Sequence, residues 1–363
     1  MAATYSPVLK ARDAEIKVLS TSPHNGTVTP IFELQKAPQA AIDRETGKVK
    51  RTKSTATDVS YFFDDIARQW RELMYLDISR IAEPNDKRSW WRLLSNLAEV
   101  SSGTGPIAPV VHVGDSAEAT SQASSLAVAA GRAALRIKLP HPNPSTLASE
   151  ISSVAASLGI EPHAVDVFLD WEDRLEQYRI DDLEAGTASV ITTMGAHRGK
   201  IITLGTPDTR QCQQTGDWEI ERREWMLWLR LVASGLDVGY GDYALYPPSD
   251  PVPATPRYGH LRYSHDSTLW VHRRAIPSRA ETAAGAAPGL AGAFGSCCQH
   301  LVHSDHYYGP GFSDADQTIR NAATGEQLIG KPGVWREIAL AHHLTAVATQ
   351  LADRPDPPSP GNA

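Results

Sequence analysis

Ionisable side chains close a series of short apolar runs along the 363-residue chain. Lys10 ends YSPVLK, Glu33 stands near the end of TVTPIFEL, and Asp77 closes MYLD. His112 follows IAPVV with Asp115 just beyond, Arg136 and Lys138 fall in AALRIKL, Asp170 ends VDVFLD with Glu172 after it, and Asp242 lies in VGYGDYAL. The acids Glu33, Asp77, Asp170 and Asp242 are the candidate catalytic residues, since carboxylates transfer protons or coordinate a divalent ion. Lys10, Arg136 and Lys138, with His112, are candidate ligand-binding groups, because cations hold phosphate or carboxylate. Each residue taken singly is equally readable as the first polar position after a core strand. Taken together, they predict a hydrated pocket of mixed sign, provided the fold gathers the strand ends.

The elements that would gather them are legible. Eight β runs (5–10, 27–34, 74–78, 107–113, 133–139, 165–170, 200–204 and 238–245) are separated by stretches, most of them helical in pattern. Parallel neighbours need crossover helices, and strands buried on both faces read as continuous Val/Ile/Leu runs rather than strict alternation. The expectation is an α/β fold, a (β/α)₈ TIM-barrel-like single domain over residues 1–351. An open doubly wound sheet is the competitor. In a barrel the C-terminal strand ends form the site. Residues 36–57 read as a basic loop insertion and 247–295 as Pro/Gly/Ala-rich insertions. Within the latter, 257–274 alternates like an exposed hairpin and 275–295 reads as mobile. A helix is expected over 218–233, with Trp218, Trp225 and Trp228 as a packing stripe, and another over 334–351. Residues 352–363 read as a disordered tail.

Composition sets bounds. Hydrophobic residues make up 41% and charged residues 21%, an ordinary globular balance. With 35 basic against 42 acidic residues there is no global nucleic-acid signal. Three cysteines, two of them adjacent, give no disulfide framework. The opening residues lack the layout of a signal peptide, and no apolar run suits a membrane span, so a cytoplasmic location without membrane contact is expected. Cys297, Cys298, His300, His303 and His306 superficially suggest zinc but match no standard ligand spacing, so no metal site is assigned. Of His342 and His343, adjacent on a helix, one at most should face inward. There is no Walker loop, no G-x-G-x-x-G after a strand and no G-x-S-x-G.

Several short motifs in fixed order carry a resemblance: Tyr5-Ser-Pro-Val-Leu-Lys10, Thr29-Pro-Ile-Phe-Glu33, Leu76-Asp77, Gly241-Asp242-Tyr243 with Arg262-Tyr263, Phe312-Ser313, Asp316, Trp335-Arg336 and His342-His343. Over about residues 5 to 348 the chain resembles the phage and bacterial Beta protein family. The resemblance implies one barrel-like domain, and an association with phages and mobile elements that extends to antiviral defence. It supplies no reaction. Tyr243 and Arg262, within those motifs, join the ligand-binding candidates. Two functional readings follow. In one, the barrel mouth takes a small anionic ligand (a phosphate ester or nucleotide) and hydrolyses it, a divalent metal being a conceivable cofactor. In the other, the protein is a non-enzymatic module whose long loops bind a protein partner.

Overall fold

The computed structural model describes residues 4–21, 26–36, 55–82, 86–100, 105–195, 198–246 and 257–353. Most of the basic insertion, the proline-rich stretch at 247–256 and nearly all of the tail therefore lie outside the described residues.

The chain alternates as the runs predict: β1 (Val8–Lys10), α1 (Asp13–Thr21), β2 (Ile31–Glu33), α2 (Thr55–Gln69), β3 (Met74–Asp77), α3 (Lys87–Val100), β4 (Ile107–His112), α4 (Ala117–Ser121), α5 (Ser124–Ala130), β5 (Ala133–Lys138), α6 (Leu147–Leu158), β6 (Val165–Asp170), α7 (Ile180–Met194) and β7 (Ile201–Leu204). After an inserted strand, β8 (Gly216–Glu221), come α8 (Arg223–Ala233) and β9 (Gly239–Tyr240). The main sheet runs β1-β2-β3-β4-β5-β6-β7-β9, all pairs parallel. It closes on itself: Tyr5 bridges Tyr240, Ser6 N–H donates to Tyr240 O at 2.8 Å, and Val8 N–H donates to Asp242 O at 2.7 Å. The molecule is a TIM-barrel-like α/β protein. Gly241 makes the closure possible, because a Cβ there would sit 2.4 Å from Leu204 Cδ2 and 2.6 Å from Ser6 O.

Strand alternation divides the side chains. Val8, Ile31, Tyr75, Val110, Ala134, Phe168, Ile202 and Tyr243 form one buried cluster, the barrel interior. Leu9, Phe32, Leu76, Leu135, Val167, Ile201 and Tyr240 fall in a larger cluster with the helices. Trp225 and Trp228 of α8 pack their rings 4.9 and 5.6 Å from Tyr240, so they are core as expected. Trp218 is not part of that helix. It lies in β8, where GDWEIE alternates across a half-exposed strand.

The C-terminal third adds β10 (Tyr258–His265), β11 (Thr268–Ala275), α9 (Arg279–Ala283), α10 (Gly289–Val302), α11 (Asp314–Thr324) and α12 (Pro332–Ala352). Strands β10, β11 and β8 form an antiparallel sheet. The expected hairpin is present but not exposed: Leu261, Tyr263, Leu269 and Val271 are all fully buried. Residues 275–295, expected to be mobile, instead hold α9 under a Ser278/Glu281 capping box and much of α10, whose Ala- and Gly-rich surface packs closely on β10. Helix α12 runs beside α1 and β10, so both His342 and His343 are buried, one toward Asp316 and one toward the barrel. The expectation of a single inward histidine fails because the helix is covered on two sides. No helix among the described residues is long and apolar enough to cross a membrane.

Candidate functional site at the barrel mouth

At the C-terminal rim the interior layer turns from apolar to charged. Arg136 from β5, only 3% exposed, stands at its centre. Its Nη1 donates to Glu33 Oε1 at 2.9 Å and to Asp77 Oδ2 at 2.7 Å, its Nε to Asp170 Oδ2 at 2.9 Å, and its Nη2 to the Tyr243 hydroxyl. Tyr243 Oη in turn donates to Asp170 Oδ2 at 2.7 Å. His112 Nε2 lies 3.0 Å from Asp77 Oδ2. The fold thus brings Glu33, Asp77, His112, Arg136, Asp170 and Tyr243 together. Lys10 stands in register beside Glu33 at the same level.

The three aspartates at strand ends share a second duty. Asp77 Oδ1 accepts from Ser79 N–H at 2.8 Å, Asp170 Oδ1 from Glu172 N–H at 2.8 Å, and Asp242 Oδ1 from Ala244 N–H at 2.9 Å. This bond to the backbone two residues on is the turn-forming contact that aspartate favours. Two of these turns carry strained backbone: Glu172 has φ 53°, Ala244 φ 46°, and Leu245 after it φ 73°. Strain of this kind concentrates at ligand-binding sites.

Glu33 differs from its neighbours. Both oxygens of Asp77 and Asp170 are engaged, whereas Glu33 Oε2 is buried without a hydrogen bond, with Arg80 Nε 3.7 Å away. Burial raises the Glu33 carboxyl, Arg136 pulls it back, and adjacent Asp77 pushes it up again, leaving it above the usual carboxylate range. For Asp77 burial also pushes upward, but His112, Arg136 and the Ser79 N–H together outweigh it and hold the group well below that range. Two carboxyls in one cluster are thereby shifted in opposite directions.

Two candidates fall elsewhere. Asp242 follows inward-facing Gly241 and precedes inward-facing Tyr243, so alternation sends it outward. There it accepts from Tyr5 Oη and Tyr240 Oη, both at 2.9 Å, and meets His343 Nε2 at 2.8 Å. It is a clamp between the barrel and α12, away from the three acids around Arg136. Lys138 is more than half exposed and pairs with Glu172 at 2.7 Å on the outer rim.

Arg262 lies on the β10 face that meets the loop after β9, with Nη1 donating to Leu245 O and Nη2 to Thr209 Oγ1 at 3.1 Å. It gathers cations that sequence reading did not find. Arg262 and Arg336 both lie over the Tyr246 ring, at 5.3 and 5.4 Å. Arg273, opposite His260 in the β10–β11 register, lies 4.3 Å over Tyr258. Burial and the fields of Arg262, Arg273 and Arg336 push His260 down to about 3, so it is neutral. None of these three arginines has a carboxylate within ion-pairing distance among the described residues. Glu15 in α1 feels Arg12, Arg336 and Lys10, and burial raises it to about 7. The missed signal was alternation in the hairpin: His260, Arg262 and Arg273 share one face.

The His-rich motif splits apart. His303 and His306 line an open groove of about 620 Å³ with Trp270, His265 and Asp266. His300 turns instead toward Asp217.

The chain has a partial likeness to a type I 3-dehydroquinate dehydratase from Clostridium difficile, at 10% identity and a TM-score of 0.40, covering 66% of this chain and 84% of that one. A search of curated proteins finds no match. The family model described as Beta protein matches residues 5–349, nearly the whole barrel with its C-terminal additions, and the chain therefore belongs to the Beta protein family.

Proposed function

We propose that the barrel mouth binds a small anionic ligand of the phosphate-ester or nucleotide class, with Glu33 as the proton-transferring group. The observation that carries this reading is the Glu33 carboxyl: buried, raised above its ordinary range, and with one oxygen making no hydrogen bond where neighbouring Asp77 and Asp170 use both of theirs. A buried carboxyl raised above its ordinary range is a better proton donor to a leaving oxygen than an ordinary carboxylate. Lys10 beside it supplies positive charge, as do Arg262 and Arg336 toward the β10 side. Guanidinium groups suit phosphate and carboxylate, which they bind through paired donors.

The same geometry argues for acid–base chemistry over metal assistance at this centre. Asp77 and Asp170 spend all their oxygens on Arg136, His112, Tyr243 and backbone N–H groups, and the guanidinium fills the position where a chelated ion would need to sit. Arg136 is therefore the organiser of the floor and not itself a ligand-binding group. The cytoplasmic setting and the link to phages and mobile elements are part of the proposal, resting on family membership.

The test is thermal shift and calorimetric titration of the untagged protein with inorganic phosphate and nucleoside monophosphates. A ligand at about 100 times its Kd stabilises a fold by about 2.7 kcal/mol. Lys10→Ala and the exposed Arg336→Ala should each weaken binding, whereas Glu33→Gln should bind while losing turnover. Absence of any anion-dependent shift would overturn the reading and favour a role in protein binding.

A further inference from the structure

We infer that Asp217, His272 and His300 form a binding site for a zinc-type divalent transition-metal ion, separate from the barrel mouth. Asp217 on β8 and His272 on β11 are register partners, so they share a face of the small sheet. Helix α10 packs over β11 and presents His300. One ligand atom from each of the three lies within 4.8 Å of the others. Two imidazole nitrogens and one carboxylate oxygen are a zinc donor set, and three protein ligands leave a fourth position for water.

A second observation points the same way. A liganding histidine uses its other ring nitrogen to hold an outer partner that fixes the ring. His272 is fully buried, Nδ1 lies 2.7 Å from Asp217 Oδ1, and Nε2 lies 3.5 Å from His306 Nε2. His306 is itself fixed flat against Trp270, with ring centroids 3.7 Å apart. His300 is half exposed, which leaves an entry path.

Arg274 already occupies Asp217, with Nη1 2.9 Å from Oδ1 and Nη2 2.9 Å from Oδ2. Its Nη1 is also tied to Gly216 O at 3.1 Å and Arg273 O at 3.2 Å, so it stays in place when a metal arrives. A carboxylate has about four lone-pair sites, enough for both cations. The guanidinium charge then weakens the site without blocking it.

The experiment strips the untagged full-length protein with chelator and titrates it with Co²⁺ by visible absorption and with Zn²⁺ by calorimetry. One ion should bind per chain. His300→Ala and Asp217→Asn should lose at least about tenfold in affinity, the scale on which even an outer partner matters. His303→Ala, on the same helix end but outside the cluster, should be unchanged, and Arg274→Gln should bind more tightly. No stoichiometric binding, equal affinity in His300→Ala, or loss in His303→Ala would overturn the assignment. Because His300 is half exposed, its variant keeps the test valid if other substitutions fail to fold.

Discussion

Replacing Arg136 with Met tests whether the barrel floor is an electrostatic unit. The guanidinium bonds three buried carboxylates and Tyr243. Removing one partner of a buried ion pair costs about 3–5 kcal/mol, because the other charge is left uncompensated. With Asp77 and Asp170 left beside the raised Glu33 carboxyl and no cation among them, a loss of about 4 kcal/mol near pH 8 is a lower expectation, a large share of the total stability of most folds. The loss should depend on pH. An orphaned carboxyl is pushed upward in the folded state, and an acid whose folded pKa is raised carries its penalty at high pH and sheds it as pH falls. If one acid rises by about three units, each worth about 1.4 kcal/mol, roughly 3 kcal/mol of the deficit is recovered between about pH 8 and about pH 5. Glu15 and Glu224 give both proteins the same background slope, so the quantity to follow is the difference between them. Urea unfolding followed by tryptophan fluorescence measures it. A deficit under about 1 kcal/mol, or one equal at both pH values, refutes the argument.

Three further predictions follow from named groups. Glu224 is buried with its carboxyl raised to about 7, first by burial, so its stability cost appears as pH rises through that range; Glu224→Gln should flatten the fall in stability above about pH 5 by about 3 kcal/mol, read from urea midpoints. Asp242 is held at about 2 because His343, Arg222 and the Ala244 N–H outweigh its burial, so its contribution is present above about pH 4 and is lost as pH drops toward 2. Asp242→Asn should cost about 3 kcal/mol in unfolding free energy while leaving anion affinity within about twofold, and a large affinity loss at unchanged stability would return Asp242 to the site. Burial pushes Cys297 up to about 12 and raises Cys298 well above the usual thiol range, so a thiol reagent should modify neither in the native protein and both in urea.

The barrel was legible because its strands are buried on both faces and read as uninterrupted apolar runs. All eight proposed runs contain a strand of the closed sheet. The candidate site was half legible. Charged strand tips marked the rim, but identity alone could not say which tips face inward. Alternation decides that, and a shift of one residue separates Asp242 from Tyr243. Nor could composition show that Asp77, Asp170 and Asp242 each turn the chain by holding a backbone N–H two residues on. Arg262 was named among the candidates, but Arg273 was missed because the two are 11 positions apart and meet only through the β10–β11 pairing. Residues 275–295 looked mobile because Ala and Gly suit a tight helix interface as readily as a loop, and only the partner surface distinguishes them. The zinc-like histidine motif failed as a local pattern, since His300 finds its partners on two strands far away in sequence.

The central claim is that Glu33 holds a proton in a mouth that receives an anion. Difference infrared spectroscopy of the wild-type protein against Glu33→Gln, followed as pH is raised from about 4, observes that proton directly. The account predicts a protonated-carboxyl stretch present only in the wild type, shifting when inorganic phosphate is added. A spectrum without that band, or with a band that phosphate does not move, would contradict it.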